Sequence, residues 1–327
     1  MKVLITRKIP RAGIEILRKH AFEIDYRQGP PLTEAELKEA IKGVDAIIPV
    51  IPDQITREVL EAAGDNLKIV AHYAVGYDSI DVEAASEMGI YVSNTPGDLT
   101  ESVAEHSMAL MLAVGRKIVQ ADAFTTAGEY KFWDPLIFLG PVFRGKTLGL
   151  VGFGRIGQHF ARIAKGGFNM RILYNDVKRN EEAESEIGAT FTSLDDLFEM
   201  SDVVSIHVPL LPSTKHLITS REIKKMKPTA YIINTARGPI IDEDGLAMAL
   251  EENWIAGAGI DVYEEEPKIH PKLKELDNVV LTPHIGSATR EARIEMARRA
   301  ADNIVEVLAN KNPPLNQVNK EVKNPRV

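Results

Sequence analysis

A glycine-rich turn between two apolar runs limits what this chain can fold into more than any other feature. Leu148 to Val151 leads straight into Gly152-Phe153-Gly154-Arg155-Ile156-Gly157. A helix-compatible segment follows, then a second apolar run from Arg171 to Tyr174. Asp176 stands nineteen residues after Gly157. Strand, glycines, helix, strand and acid in that order describe a nucleotide-binding βαβ unit. Gly152 permits the tight turn out of the strand. Gly154 lets a pyrophosphate approach the backbone, and Gly157 lets the helix pack closely on the strand. Arg155 and Ile156 open that helix, whose free N–H groups and positive dipole end face the phosphates. Asp176 falls where a carboxylate accepts hydrogen bonds from an adenosine ribose. Glycines also mark ordinary βα turns, but the complete order favours a dinucleotide site.

The position of this unit is as informative as its content. Short β-branched runs alternate with helix-length segments along the 327 residues, a length that suits two domains of ~150 residues each. Strands are expected at Val3–Thr6, Phe22–Tyr26, Asp45–Val50, Lys68–His72 and Ile90–Val92. After residue 146 they are expected at Thr147–Val151, Arg171–Tyr174, Val203–Val208, Ala230–Asn234, Ala256–Asp261 and Val279–Leu281. Near-continuous apolar runs alternating with helices predict doubly wound parallel α/β sheets. The glycine turn should follow the first strand of its own sheet, yet about a hundred residues with their own βα pattern precede it. The nucleotide unit is therefore read as an insertion. The helix pattern from Arg290 to Asn310 returns to complete the first domain, and Asn312 to Val327 forms a surface strap. Asp98 and Glu101 fit a capping box before a helix carrying Val103, Met108, Met111, Leu112 and Val114. That helix is apolar on more than one face, which suits either a core helix linking domains or one whose second face packs against another subunit.

Composition removes several function classes. The chain has no cysteine, which excludes disulfides, zinc–thiolate sites and thiol nucleophiles. Together with only five glutamines, this suits a reducing compartment or a thermophilic source. No apolar run reaches the ~18 residues of a membrane span, and the first residues do not read as a signal peptide. The expected location is the cytoplasm. A net charge of −8, without a basic stripe, argues against nucleic acid as a partner. No metal site is expected.

Three chemically capable groups leave the second half at the carboxyl ends of strands, where ligands bind in parallel α/β sheets. Arg237 follows Asn234-Thr235-Ala236. Glu264-Glu265-Glu266-Pro267 follows the strand ending near Asp261. His284 stands in Thr282-Pro283-His284-Ile285-Gly286. Each alone reads as a surface or structural residue. Their common edge, shared with the pyrophosphate turn, favours a site.

With these residues in place, the chain resembles the D-isomer-specific 2-hydroxyacid dehydrogenases, most closely their glyoxylate/hydroxypyruvate reductase branch. The motifs are HYAVGYD at 72–78, NTPG at 94–97, VGFGRIGQ at 151–158, NTARGPIID at 234–242, AGAGIDVYEEEP at 256–267 and LTPHIGSAT at 281–289. The resemblance spans residues 1 to about 320. It implies a Rossmann NAD-binding domain (100–287) inserted into a flavodoxin-like substrate domain (1–99 plus 288–327), with a cleft between them. It also implies Arg237, Glu266 and His284 as the catalytic trio, with Arg237 and His284 touching substrate beside the backbone of Val75 and Gly76. On the cofactor side it adds Thr235, Ala236, Gly286 and Asp261, the last facing the nicotinamide amide. Trp133 matches a tryptophan that in some relatives reaches a neighbour's active site; a locally packed aromatic is the alternative.

Those roles suit the chemistry. A 2-oxo acid presents a carboxylate beside a ketone, and a guanidinium can bind the first and polarise the second. An imidazole, with an unperturbed pKa of about 6.5, can protonate the developing alkoxide, and a neighbouring carboxylate can orient it. Asp176 disfavours a 2′-phosphate, so NAD(H) is favoured, although Lys178 and Arg179 leave NADP(H) open. The expected activity is reduction of glyoxylate or hydroxypyruvate to the D-2-hydroxy acid by a homodimer. D-lactate and D-3-phosphoglycerate dehydrogenases remain alternatives, as does an NADH-sensing protein without turnover.

Overall fold

The computed structural model describes residues 1–97 and 99–326. Asp98, the expected capping partner of Glu101, lies outside them. Backbone contacts divide the chain into two compact units, Met1–Leu99 with Ala288–Val327, and Thr100–Ser287.

The first unit holds five parallel strands: β1 (Lys2–Ile5), β2 (Glu23–Tyr26), β3 (Ala46–Ile48), β4 (Ile69–Ala71) and β5 (Tyr91–Ser93), in the order β2-β1-β3-β4-β5. Every side chain of β3 and β4 is buried, as is Val3-Leu4-Ile5 of β1. Helices cover both faces of such strands, so their residues need no polar alternation. β2 sits at an edge and carries Glu23 and Asp25. The opposite edge, β5, is covered by the C-terminal tail. Val318 N–H donates to Val92 O at 2.8 Å, and Asn319 accepts from Val92 N–H at 2.8 Å. The tail thus satisfies backbone groups that an open edge would expose. The helix Arg290–Leu308 packs on the helix Arg11–Lys19, so the last residues complete a core begun by the first.

The second unit holds seven parallel strands: β6 (Thr147–Val151), β7 (Arg171–Asn175), β8 (Ala189–Phe191), β9 (Val203–Ile206), β10 (Tyr231–Asn234), β11 (Gly257–Ile260) and β12 (Val279–Leu281). Their order is β12-β11-β10-β9-β6-β7-β8. The chain winds outward from β6 in one direction to β8, then from β9 in the other to β12. The switch point between β6 and β9 is where such sheets bind nucleotides. Both units are doubly wound parallel α/β sheets, the fold class expected. β8 escapes sequence reading because it is three residues long and, at the edge, exposes Thr190 and Phe191.

The helix Leu99–Gly115 takes the first of its two expected readings, a core helix. Met108, Met111 and Val114 are buried in the core of the second unit with Leu148, Leu150 and Ile172, and Leu112 packs against that cluster. Val103 is also buried. All five apolar positions are absorbed within the chain. The exposed apolar surface lies further on, at Ile118, Val119, Phe132, Trp133, Leu136 and Val142. Among the described residues no helix is long and apolar enough to cross a membrane.

Candidate active site

The three fingerprint glycines have three different surroundings. Gly152 has a φ of +96°, and a Cβ there would meet the His207 carbonyl carbon at 2.7 Å. A Cβ at Gly157 would meet Gly152 O at 2.5 Å, so the helix Arg155–Phe168 sits directly against the turn. Gly154 differs: a Cβ there would meet nothing within 4 Å. Its lack of a side chain answers no need of the fold and leaves the backbone approachable from outside. Gly154 is also the N-cap, and no side chain caps the helix that Arg155 and Ile156 begin. These features fit a pyrophosphate held by backbone N–H groups. His207, under the turn, bonds Ser205 through Nε2 at 3.0 Å. Burial pushes its imidazole down to about 3, so it remains neutral there.

Asp176 braces the same loop. Its Oδ2 accepts from Phe153 N–H and its Oδ1 from Val177 N–H, both at 2.7 Å. Each carboxylate oxygen can accept twice, so capacity remains for ribose hydroxyls. Arg179, a candidate partner for a 2′-phosphate, is instead held by both oxygens of Glu184 at 2.8 Å.

At the carboxyl ends of β11 and β12, Asp261 is the most enclosed ionisable group of the site, 1% exposed. Its Oδ1 accepts from Thr282 Oγ1 at 2.6 Å and Ile285 N–H at 2.8 Å; its Oδ2 accepts from Gly286 N–H at 2.7 Å. His106 Nε2 approaches Oδ1 at 3.3 Å. Burial pushes the carboxyl upward, but hydrogen bonds from His106, Thr282 and Ile285 outweigh it and hold the group below its usual range. The Ser107 and Thr235 hydroxyls bond at 2.8 Å, tying the helix Leu99–Gly115 to the turn after β10.

His284 Nδ1 lies 2.9 Å from Glu266 Oε2. A carboxylate only accepts, so Nδ1 carries hydrogen and Nε2 is the nitrogen left for proton transfer. His284 has a φ of +54°, an uncommon state for a residue with a Cβ, and its N–H is anchored on Asp261 O at 2.8 Å. Glu266 is fixed in turn by Tyr263 N–H to Oε1 at 3.0 Å. Tyr263 donates its hydroxyl to Thr282 O at 2.9 Å. Burial, then the charges of Asp261 and Glu266, push that phenol upward. Behind the loop, Glu243 Oε1 accepts from Glu264 N–H at 2.8 Å, and His216 Nε2 meets Glu264 Oε1 at 2.6 Å. Arg237 stands just past β10. Asn234 shapes that turn by accepting from Ala236 N–H and donating to Arg237 O, each at 3.0 Å. The structure therefore joins His284 to Glu266 directly, sets Asp261 and Gly286 beside them, and brings Thr235, Ala236 and Arg237 to the neighbouring strand end.

Val75 and Gly76 belong to the first unit, in the loop after β4. Asn94 Nδ2 donates to Val75 O at 2.8 Å, and Thr95 N–H to Ala74 O at 2.9 Å. The Val75 and Gly76 N–H groups donate to no acceptor among the described residues. Tyr73 buries its ring and donates to Arg293 O at 2.7 Å; burial pushes its phenol up to about 12. Trp133 is 75% exposed, which removes the locally packed alternative.

The residues that sequence reading missed are His106, Ser107, Thr282, Tyr263 and Glu243. Thr282 and Tyr263 lie inside quoted motifs and Glu243 in a short acidic run, but no residue type or spacing singles out any of the five. Each earns its place only through a partner far along the chain.

Known proteins resemble this chain along most of its length. Residues 108–286 match the family described as D-isomer specific 2-hydroxyacid dehydrogenase, NAD binding domain. A glyoxylate reductase of Thermococcus litoralis is 50% identical over 326 residues, covering 98% of this chain and 97% of that protein. A crystal structure of a Thermus thermophilus protein superposes with a TM-score of 0.91 at 41% identity, covering 97% of this chain and 100% of the other. An NADPH-dependent glyoxylate/hydroxypyruvate reductase of Sinorhizobium meliloti, in complex with citrate, gives a TM-score of 0.84 at 31% identity with 98% of each chain covered. Thermophilic relatives agree with the cysteine-free composition.

Proposed function

Because the chain belongs to the D-isomer specific 2-hydroxyacid dehydrogenases, we propose that it reduces glyoxylate to glycolate, with His284 as proton donor and Arg237 as the anchor of the oxo acid. The His284–Glu266 pair at 2.9 Å carries this reading. It supplies an oriented imidazole at the strand edge that also bears the pyrophosphate turn. Bound NADH supplies the hydride. The Arg237 guanidinium holds the substrate carboxylate and draws electron density from the ketone. As negative charge grows on the carbonyl oxygen, His284 Nε2 delivers its proton there, and Glu266 stabilises the imidazolium that precedes transfer. In the oxidative direction neutral His284 takes the hydroxyl proton.

Glyoxylate is favoured among short 2-oxo acids because relatives at about 50% identity carry the name glyoxylate reductase. A panel of glyoxylate, hydroxypyruvate and pyruvate, each with NADH and NADPH, tests substrate and cofactor together. The expected outcome is highest kcat/KM with glyoxylate, and NADH ahead of NADPH by at least about tenfold, the factor set by ~1.4 kcal/mol of repulsion between Asp176 and a 2′-phosphate. A clear NADPH preference would show that Lys178 outweighs Asp176. No turnover with any of these acids, despite NADH binding, would favour a sensor instead.

Arg237→Ala is expected to raise KM for glyoxylate by about 10–100-fold, as loss of a hydrogen bond between charged groups costs about 1.5–3 kcal/mol. Steady-state kinetics check this, and an unchanged KM would remove Arg237 from the carboxylate site. The working form is a homodimer in the cytoplasm. The exposed apolar side chains of Ile118, Phe132, Trp133, Leu136 and Val142 are of the kind that a partner surface covers. Light scattering should give the mass of two chains, and a one-chain mass would refute the dimer.

A further inference from the structure

Asp261 is held by a residue outside the strand edge that carries the other site groups. His106 reaches it from the helix Leu99–Gly115, 155 positions earlier in the sequence. Proton positions follow from the distances. Thr282 has one hydroxyl hydrogen and spends it on Asp261 Oδ1 at 2.6 Å. Thr282 Oγ1 is then an acceptor toward His106 Nε2 at 3.1 Å, so Nε2 carries hydrogen. Oδ1 is thus saturated by Thr282 and Ile285, with the His106 N–H pressing on it at 3.3 Å. Oδ2 accepts only from Gly286 among the described residues, which leaves it one lone pair for a ligand amide.

We infer that His106 is a positioning residue that sets the relative affinity of this site for oxidised and reduced dinucleotide. The inference rests on Asp261 facing the nicotinamide. The oxidised ring carries a positive charge and the reduced ring does not. A buried carboxylate beside the ring therefore favours the oxidised form, and the attraction is strong because little water screens it. The His106 N–H and the Thr282 hydroxyl it supports draw the carboxylate's charge toward Oδ1, away from the ligand side. Removing His106 returns that charge to Oδ2 and shifts preference toward NAD⁺. A helix that also fills the core of the second unit thereby biases the enzyme toward holding NADH, the form consumed in reduction.

The test measures Kd for NADH and NAD⁺ separately, by calorimetry on the intact protein, for wild type, His106→Leu and His106→Gln. His106→Leu is expected to lower the ratio Kd(NAD⁺)/Kd(NADH) by at least about threefold. His106→Gln keeps an N–H donor and should restore most of the wild-type ratio, and it serves as the test variant if the leucine form does not fold. A purely structural role would weaken both ligands alike and leave the ratio in place. An unchanged ratio in folded variants, or a shift toward NADH, overturns the inference while leaving the proposed reaction intact. Failure of the wild type to bind either dinucleotide would overturn both.

Discussion

Alanine at His284 is expected to lower kcat for glyoxylate reduction by about 10²–10⁴-fold, the usual contribution of a positioned general acid, with NADH affinity changed by less than about threefold. The asymmetry follows from the geometry. His284 Nδ1 is engaged by Glu266 at 2.9 Å, so the ring has one nitrogen for chemistry and one for orientation. Its backbone, anchored through N–H to Asp261 O, does not depend on the imidazole. The side chain is only partly buried, at 29% exposure, so its truncation leaves no large cavity. Pre-steady-state turnover and fluorescence titration with NADH separate the two quantities. A parallel collapse of both would mean that His284 supports the cofactor site rather than the proton transfer. Glu266→Gln should fall between this variant and wild type, since an amide can still accept from Nδ1 but cannot stabilise an imidazolium equally.

Valine at Gly154 is expected to weaken NADH binding by well over tenfold, because a branched side chain occupies the space a pyrophosphate needs. The melting temperature should change little, since no protein atom lies within 4 Å of a Cβ at this position. Valine at Gly152 should behave in the opposite manner. There the backbone adopts a φ of +96° and a Cβ meets the His207 carbonyl carbon at 2.7 Å, so the fold itself is penalised. Calorimetric NADH titration and thermal denaturation of both variants distinguish the roles. Equal stability losses in the two would imply that Gly154 serves the turn and not a ligand.

The contrast between these glycines shows what the sequence made legible. Spacing alone placed the strand and glycine turn at 147–157, with a helix to follow, because the turn imposes glycine at positions only a few residues apart. It equally placed Asp176, whose distance from Gly157 is set by the length of one helix and one strand. Parallel strands buried on both faces announced themselves as apolar runs. β8 did not, since an edge strand has one solvated flank and three residues are too few for a pattern. The helix Leu99–Gly115 stayed open between two readings for a related reason. Apolar residues around a helix report that it is covered, but not whether strands of the same chain or another molecule cover it. The roles of His106 and Thr282 were invisible because a hydrogen-bond relay onto a buried carboxylate needs no fixed spacing. It requires only that folding bring positions 106, 261 and 282 together.

The C-terminal tail across β5, and the helix Arg290–Leu308 on the helix Arg11–Lys19, give the chain a built-in order of assembly. During synthesis residues 1–99 emerge with β5 unpaired along its outer edge and one helix missing from their core. Residues 100–287 then emerge as an uninterrupted segment with all seven strands of their sheet, able to fold as domains do on the ribosome. Only after release of residues 288–327 can the opening segment close. The first unit is thus the last to complete its core, after the second has all the residues of its own sheet.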